Sequence, residues 1–121
     1  VRINLSEPLK VIIGSIGSDM RYNLWTQNIA EKGLFLMFDK PRRFPFNASS
    51  LMEVWLELEP GDPIFFNGKM ARVVYPEDSQ AQETGPGIGI RIVQIEKEEE
   101  DRLKDYIDMN IDQAQTKEKA S

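Results

Sequence analysis

Residues 26–36 hold the side chains whose types and spacing best suit ligand binding in this chain. Asn28 and Gly33 lie five positions apart, with apolar, strand-forming residues on either side. Asn favours tight turns because its side chain can bond nearby backbone, and Gly supplies the positive φ that other residues resist. The segment therefore predicts two strands joined by a polar corner with several outward N–H groups. Such a corner can hold an anion or the edge of a base; a plain β-turn is the alternative interpretation.

Composition removes most catalytic and metal chemistries. None of the 121 residues is His or Cys, which excludes His or Cys catalysis, disulfides and thiolate metal sites within this chain. No pair of carboxylates stands in a recognisable catalytic motif. The aspartates Asp101, Asp105, Asp108 and Asp112 have a spacing that decorates one solvated helix face and lacks the loop of a calcium site. We expect a protein that is not an enzyme and has no metal and no cofactor.

Charge is distributed unevenly along the chain. The net charge is −5; residues 1–95 hold 10 Lys and Arg against 11 Asp and Glu, whereas residues 96–121 hold 5 against 9. An acidic protein is a poor partner for DNA, RNA or an anionic membrane, but a small anionic ligand needs only a few local arginines. No run of 18 apolar residues predicts a spanning helix, and no signal peptide is visible. We therefore expect a cytoplasmic protein.

The first 95 residues carry strand patterns separated by turn signals. Alternation places Val54, Leu56 and Leu58 on one strand face and Trp55 on the other. Asn67-Gly68 between two apolar runs is typical of a β-hairpin turn. Predicted strands cover residues 9–14, 22–29, 33–38, 51–58, 64–66, 70–75 and 87–93. About six short strands in this order indicate a small antiparallel barrel or sandwich.

The period changes after residue 95. Leu103, Tyr106, Ile107 and Ile111 fall on one helical stripe, and the acidic run before them suits a helix N-terminus. We predict a β-domain over residues 1–95, a helix packed on it over residues 96–111 and a disordered tail over residues 112–121.

The corner and its surroundings resemble the PilZ domain family. That family's pattern is Asp or Asn, any residue, Ser, two further residues and Gly, followed by an apolar strand, and residues 28–36 resemble it. Residues 2–11 look like the family's first strand, which follows a pair of arginines, and residues 87–92 look like its closing strand. The resemblance extends over about residues 1–110. It implies a six-stranded antiparallel β-barrel followed by one C-terminal helix.

The resemblance also implies a function. PilZ domains bind cyclic di-GMP, a bacterial second messenger, and act on protein partners in systems that include motility. By resemblance the ligand-binding residues here are Arg2, Asn28, Ala30 and Gly33, and Arg91 on the closing strand is a further candidate whose alternative is a surface salt bridge. Arg2 fits the second arginine of the pair, so that its partner would lie upstream of Val1.

Three hypotheses remain open at this point. The first is a cyclic di-GMP receptor that signals through protein contacts. The second is a degenerate PilZ domain that acts only as a protein-interaction scaffold, because the motif Ser is Ala30 here. The third is a small barrel that binds nucleic acid or oligosaccharide. Trp25 and Trp55 are expected to be packing residues in any of the three.

Overall fold

Six strands and a long C-terminal helix form the architecture of this protein. The computed structural model describes the backbone of residues 2–120 and the side chains of residues 3–111. The strands are β1 Arg2–Ser15, β2 Arg21–Ala30, β3 Gly33–Met37, β4 Met52–Glu59, β5 Asp62–Val74 and β6 Gly87–Ile95. A 3₁₀ turn covers Pro41–Arg43, and the helices are α1 Ala81–Thr84 and α2 Lys97–Ala120.

The strands close into a barrel. Their order is β1-β2-β3-β6-β5-β4, every neighbouring pair is antiparallel, and β4 pairs with β1 to complete the ring. Alternate residues point inward, as the predicted pattern of β4 requires: Val54, Leu56 and Leu58 are buried, and Trp55 between them points outward. The prediction of a six-stranded antiparallel barrel with a C-terminal helix is confirmed.

The hairpin predicted at Asn67-Gly68 is wrong. Both residues lie inside the continuous strand β5, and the turn between β4 and β5 is made instead around Gly61, which has a φ of 78°. Gly68 is needed for close packing: a Cβ atom there would lie 2.8 Å from Cγ2 of Ile90 and 3.0 Å from the carbonyl oxygen of Arg91. The register of β5 against β6 shifts at this point, because Asn67 pairs with Gln94 and Gly68 with Ile92, which leaves Val93 of β6 as the extra residue of a bulge.

Helix α2 packs its apolar stripe against the barrel. Leu103 and Ile107 are buried in the same core as the strand residues, and Tyr106 and Ile111 pack at its edge. The helical backbone continues to Ala120, beyond the predicted end at Ile111; residues 112–120 contain no Gly or Pro and are rich in good helix formers. The predicted disorder of residues 112–121 concerns a region whose side chains lie outside the described residues, and the domain boundaries remain predictions.

The expectation that both tryptophans are packing residues is wrong for Trp25. Its side chain is 48% exposed on the outer face of the barrel. Trp55 also points outward, but it packs against Phe65 at a ring-centroid distance of 5.2 Å and lies under the guanidinium of Arg21. Aliphatic side chains and Phe66 fill the barrel interior, and strand alternation leaves these indoles outside.

Candidate functional site

A buried threonine shapes the polar corner at the end of β2. The Oγ1 atom of Thr26 donates to the carbonyl oxygen of Phe35 at 2.6 Å and accepts from the backbone N–H of Asn28 at 3.3 Å. Between these residues the register of β2 against β3 shifts, which leaves Gln27 as the extra residue of a bulge. The bulge turns Ile29 into the core and Asn28 toward the outer face.

Gly33 serves the corner differently from what its sequence context suggested. The predicted positive φ is wrong, because Gly33 is not among the glycines with a left-handed backbone. A Cβ atom at this position would lie 2.2 Å from the carbonyl oxygen of Ile90, so the reason for glycine is the close approach of β3 and β6. The N–H of Ile92 donates to the carbonyl oxygen of Lys32 at 2.7 Å, which fastens the corner to β6.

Two rows of residues cross the outer face of the barrel beside this corner. In the first row, successive strand pairs bring together Asn4, Asn28, Phe35, Gly89 and Arg72. Nδ2 of Asn28 donates to Oδ1 of Asn4 at 2.9 Å. The ring of Phe35 is buried, and the guanidinium carbon of Arg72 lies 5.4 Å from its centroid. At one end of this row the guanidinium of Arg72 therefore lies over the ring of Phe35.

The second row lies two residues further along each of the strands β2, β3 and β6. The backbone register aligns Arg2, Ala30, Gly33, Arg91 and Lys69 across five strands. Two small residues in the middle are therefore flanked by basic residues on both sides.

The two rows enclose a cleft, because their glycine and alanine residues have no side chain large enough to fill the space between them. It has a volume of ≈ 310 Å³. The residues that line it are Asn28, Ala30, Lys32, Gly33, Leu34, Phe35, Ala71, Arg72, Gly89, Ile90 and Arg91. A second hollow of ≈ 200 Å³ adjoins it through Asn28 and Phe35 and contains the carboxylate of Glu83.

The first cleft is strongly cationic within an acidic protein. Lys32, Arg72 and Arg91 line it, and no Asp or Glu does. Among the side chains of residues 3–111, none of these three cations forms an ion pair or a side-chain hydrogen bond. The surface salt bridge considered for Arg91 is thus wrong within these residues. Unpaired cations around a concave surface favour an anionic ligand.

The cleft brings together most of the predicted site residues. Asn28, Ala30, Gly33 and Arg91 all line it. Arg2 is placed by its backbone alone, opposite Ala30 in the register of β1 and β2.

Sequence reasoning missed four polar residues of this surface, which are Asn4, Lys32, Lys69 and Arg72. Asn4, which bonds Asn28, lies in an exposed position of β1 that carried no motif. Arg72 and Lys69 both lie on β5, and the wrongly predicted hairpin at Asn67-Gly68 obscured which face they share. Strand alternation counted from the buried Phe66 would have placed Lys69 outside.

A separate ion pair fastens two loops away from the cleft. Arg42 pairs with Glu77, and its guanidinium carbon lies 4.2 Å above the ring centroid of Tyr75. The hydrogen bond from Arg42 lowers the pKa of the Glu77 carboxyl from its ordinary value of 4.5. This pair joins the connection between β3 and β4 to the connection between β5 and β6, and it contributes no residue to the cleft.

Comparison with solved structures shows the same fold in several bacterial proteins. The structure resembles YcgR of Escherichia coli in complex with c-di-GMP, with a TM-score of 0.74 and 12% identity over 99% of this chain and 48% of that one. It resembles the separate PilZ domain of YcgR with c-di-GMP, with a TM-score of 0.68 and 11% identity over 99% and 94% of the two chains. The Bacillus subtilis inhibitor of motility MotI/DgrA matches with a TM-score of 0.69 and 16% identity over 93% and 50%. The chain thus spans about half the length of the MotI/DgrA chain and of the YcgR chain in complex with c-di-GMP.

A search of curated proteins found no match. Within the described part of the chain, neither helix has the length and apolar character needed to cross a bilayer. The sequence model of the PilZ domain matches residues 2–109, which is most of the chain and includes all six strands. The chain therefore belongs to the PilZ domain family.

Proposed function

We propose that this PilZ domain is a cyclic di-GMP receptor that passes the signal on through protein contacts, and that it is not an enzyme. The observation that carries the proposal is the cluster of Lys32, Arg72 and Arg91 in a cleft without carboxylates. The whole protein has a net charge of −5, so this local excess of positive charge is against the trend of the chain. A ligand with two phosphates matches it.

The proposed contacts follow from the two rows. Asn28 offers amide groups for a guanine edge, and Gly33 leaves room for a ligand to approach the backbone. Arg91, directly opposite Gly33, would hold a phosphate or a guanine edge. Arg2 enters β1 opposite Ala30, so ligand binding would draw the N-terminal segment toward the cleft. That movement would change the surface offered to a partner protein. A cytoplasmic location, where a bacterial second messenger is met, goes with this proposal.

Ala30 supports a second candidate function. It occupies the position of the motif Ser and lines the cleft, so the chain offers no hydroxyl there. A neutral hydrogen bond contributes ~0.5–1.5 kcal/mol net, and its loss weakens binding up to about tenfold. A domain that had lost the ligand would act as a protein-interaction scaffold.

Titration calorimetry distinguishes the two. We expect heat of binding with cyclic di-GMP and a dissociation constant of about 1–50 μM, which corresponds to a binding free energy of roughly 6–8 kcal/mol. GMP at the same concentrations should give no heat of binding. The matched control is Lys10→Gln, a loss of one outward-facing lysine of β1 that does not line the cleft. Binding that is absent in the wild-type chain, and that Ala30→Ser restores, would establish the scaffold instead.

A further inference from the structure

Strand β5 presents two cations to the same outer face as the corner. Lys69 lies directly opposite Arg91 in the register of β5 and β6, and Arg72 lies directly opposite Gly89. Lys69 shares the outer face because its neighbours Gly68 and Met70 point inward, toward Ile90 and the core. The cationic surface therefore continues from the corner across β6 onto β5.

Lys69 and Arg91 place two like charges opposite each other on neighbouring strands. Like charges at directly opposite positions of neighbouring strands repel each other. No carboxylate within residues 3–111 forms an ion pair with either of them. Carboxylates are not scarce on this barrel, because Glu53 of β4 lies within 3.9 Å of Arg21 on the same outer surface. The absence of a partner at Lys69 is thus local to the strand pair β5–β6 beside the cleft.

The Arg72 side chain makes contacts that a ligand can replace. Its side chain lies across Gly89, with Cγ 2.7 Å and Nε 3.2 Å from where a Cβ atom of that glycine would be. Its guanidinium lies near the buried ring of Phe35 and donates no hydrogen bond to a described acidic side chain. Because residue 89 is glycine, the Arg72 side chain can lie this close to the backbone of β6. A planar guanidinium with free donors beside a cleft can bind a phosphate in a forked geometry or stack on a base.

We propose that Lys69 and Arg72 form a second, β5-borne half of the anion site, which holds the phosphate that the corner residues do not reach. This rests on the proposed function as far as the ligand is cyclic di-GMP. The general claim is that the site binds two negative charges at once, one at the corner with Arg91 and one at β5. The repulsion between Lys69 and Arg91 lowers the stability of the ligand-free domain. Binding of the ligand then relieves this repulsion.

The first test concerns the ligand-free protein. Lys69→Gln removes one of the two opposed charges, and we expect its melting temperature to rise by roughly 1–4 °C at low salt. The gain should disappear in about 0.5–1 M salt, where charge interactions are screened. Lys10→Gln, the same substitution at an outward position of β1 outside the cleft, should give no such gain. A melting temperature that falls in Lys69→Gln would overturn the claim of repulsion.

The second test concerns binding, with cyclic di-GMP and inorganic pyrophosphate as separate probes. We expect Lys69→Gln and Arg72→Gln each to weaken both ligands about tenfold, whereas Lys10→Gln leaves them unchanged. Arg72→Lys should retain most pyrophosphate binding and lose more of the binding of cyclic di-GMP, because it keeps the charge without the planar group. Since Arg72 also covers Phe35, its variants are compared at temperatures where all proteins are folded.

The outcomes separate this inference from the proposed function. Pyrophosphate binding that depends on Lys69 and Arg72, without any binding of cyclic di-GMP, would support the anion site and refute the receptor. Binding of cyclic di-GMP that is unaffected by Lys69→Gln and Arg72→Gln would support the receptor and overturn the inference.

Discussion

Gly33 and Arg91 lie directly opposite each other across β3 and β6, and both line the cleft. The glycine makes room and the arginine supplies charge. A Cβ atom at Gly33 would lie 2.2 Å from the carbonyl oxygen of Ile90 and 3.2 Å from Cα of Arg91. The same backbone contact therefore closes the barrel and sets the floor of the candidate site.

Gly33→Ala should damage both the fold and the site. The new methyl group forces β3 and β6 apart, and overpacking of this kind costs about 1–3 kcal/mol of the free energy of unfolding. Urea denaturation should show the loss, and calorimetry at a temperature where the variant is folded should show weaker binding of cyclic di-GMP.

Gly61→Ala is the control for Gly33→Ala. Nothing lies within 4 Å of a Cβ atom at Gly61, but its φ of 78° strains any other residue, at a cost of about 1–2 kcal/mol. Because Gly61 lies outside the cleft, this variant should lose stability and keep its affinity. Equal effects of both variants on affinity would contradict the placement of Gly33 in the site.

Ala30→Ser should tighten the binding of cyclic di-GMP. Ala30 lines the cleft, and a hydroxyl there adds one hydrogen bond worth ~0.5–1.5 kcal/mol. We expect a dissociation constant lower by up to about tenfold, measured by titration calorimetry, with little change in the melting temperature. Ala71→Ser, which changes another alanine of the cleft wall on β5, tests whether any added hydroxyl has the same effect. An affinity for cyclic di-GMP that Ala30→Ser leaves unchanged would argue against a ligand at the corner.

Ile107→Ala should destabilise the whole domain. Ile107 is 1% exposed and belongs to the barrel core although it lies on α2, so its truncation leaves a cavity that costs about 2–5 kcal/mol. Met109→Ala, on the same helix but 60% exposed, should change stability by less than about 0.5 kcal/mol. Chemical denaturation, followed by the circular dichroism signal of the β-strands, measures the stability of both variants. A cooperative barrel transition that Ile107→Ala leaves in place would mean that the helix is dispensable.

Acid should release the contact between Arg42 and Glu77. The hydrogen bond from Arg42 lowers the pKa of Glu77 below 4.5, so its contribution is present above that ordinary value and is lost as the pH falls through the lower, folded-state pKa. The carboxyl resonance of Glu77 in an NMR titration should therefore have its midpoint below 4.5. In Arg42→Gln the midpoint of Glu77 should rise toward the ordinary value, because the largest cause of the lowered pKa is removed. A midpoint for Glu77 that Arg42→Gln leaves unchanged would assign the shift to another cause.

The sequence by itself determined the elements of this protein. Alternation in β4, the stripe of Leu103 and Ile107, and the Asn28 and Gly33 corner are local patterns, and each predicts its own strand, helix or turn because side-chain direction repeats with period 2 or 3.6. Resemblance to the PilZ family then supplied their order and the barrel. Asn28, Ala30 and Gly33 line one cleft because they belong to a single hairpin, whereas Arg91 joins them only through the pairing of β6 with β3.

Only the tertiary structure decided what lies opposite what. Gly33 and Gly68 resemble turn glycines in sequence, but both are required by close approach to β6, which is distant in sequence. The cations of β5 likewise gain their meaning from register: Lys69 is an ordinary surface lysine until β6 places Arg91 directly across from it. The physical reason is that pairing between strands depends on bulges and shifts, such as those at Gln27 and Gly68, whose positions follow from the packing of the whole barrel.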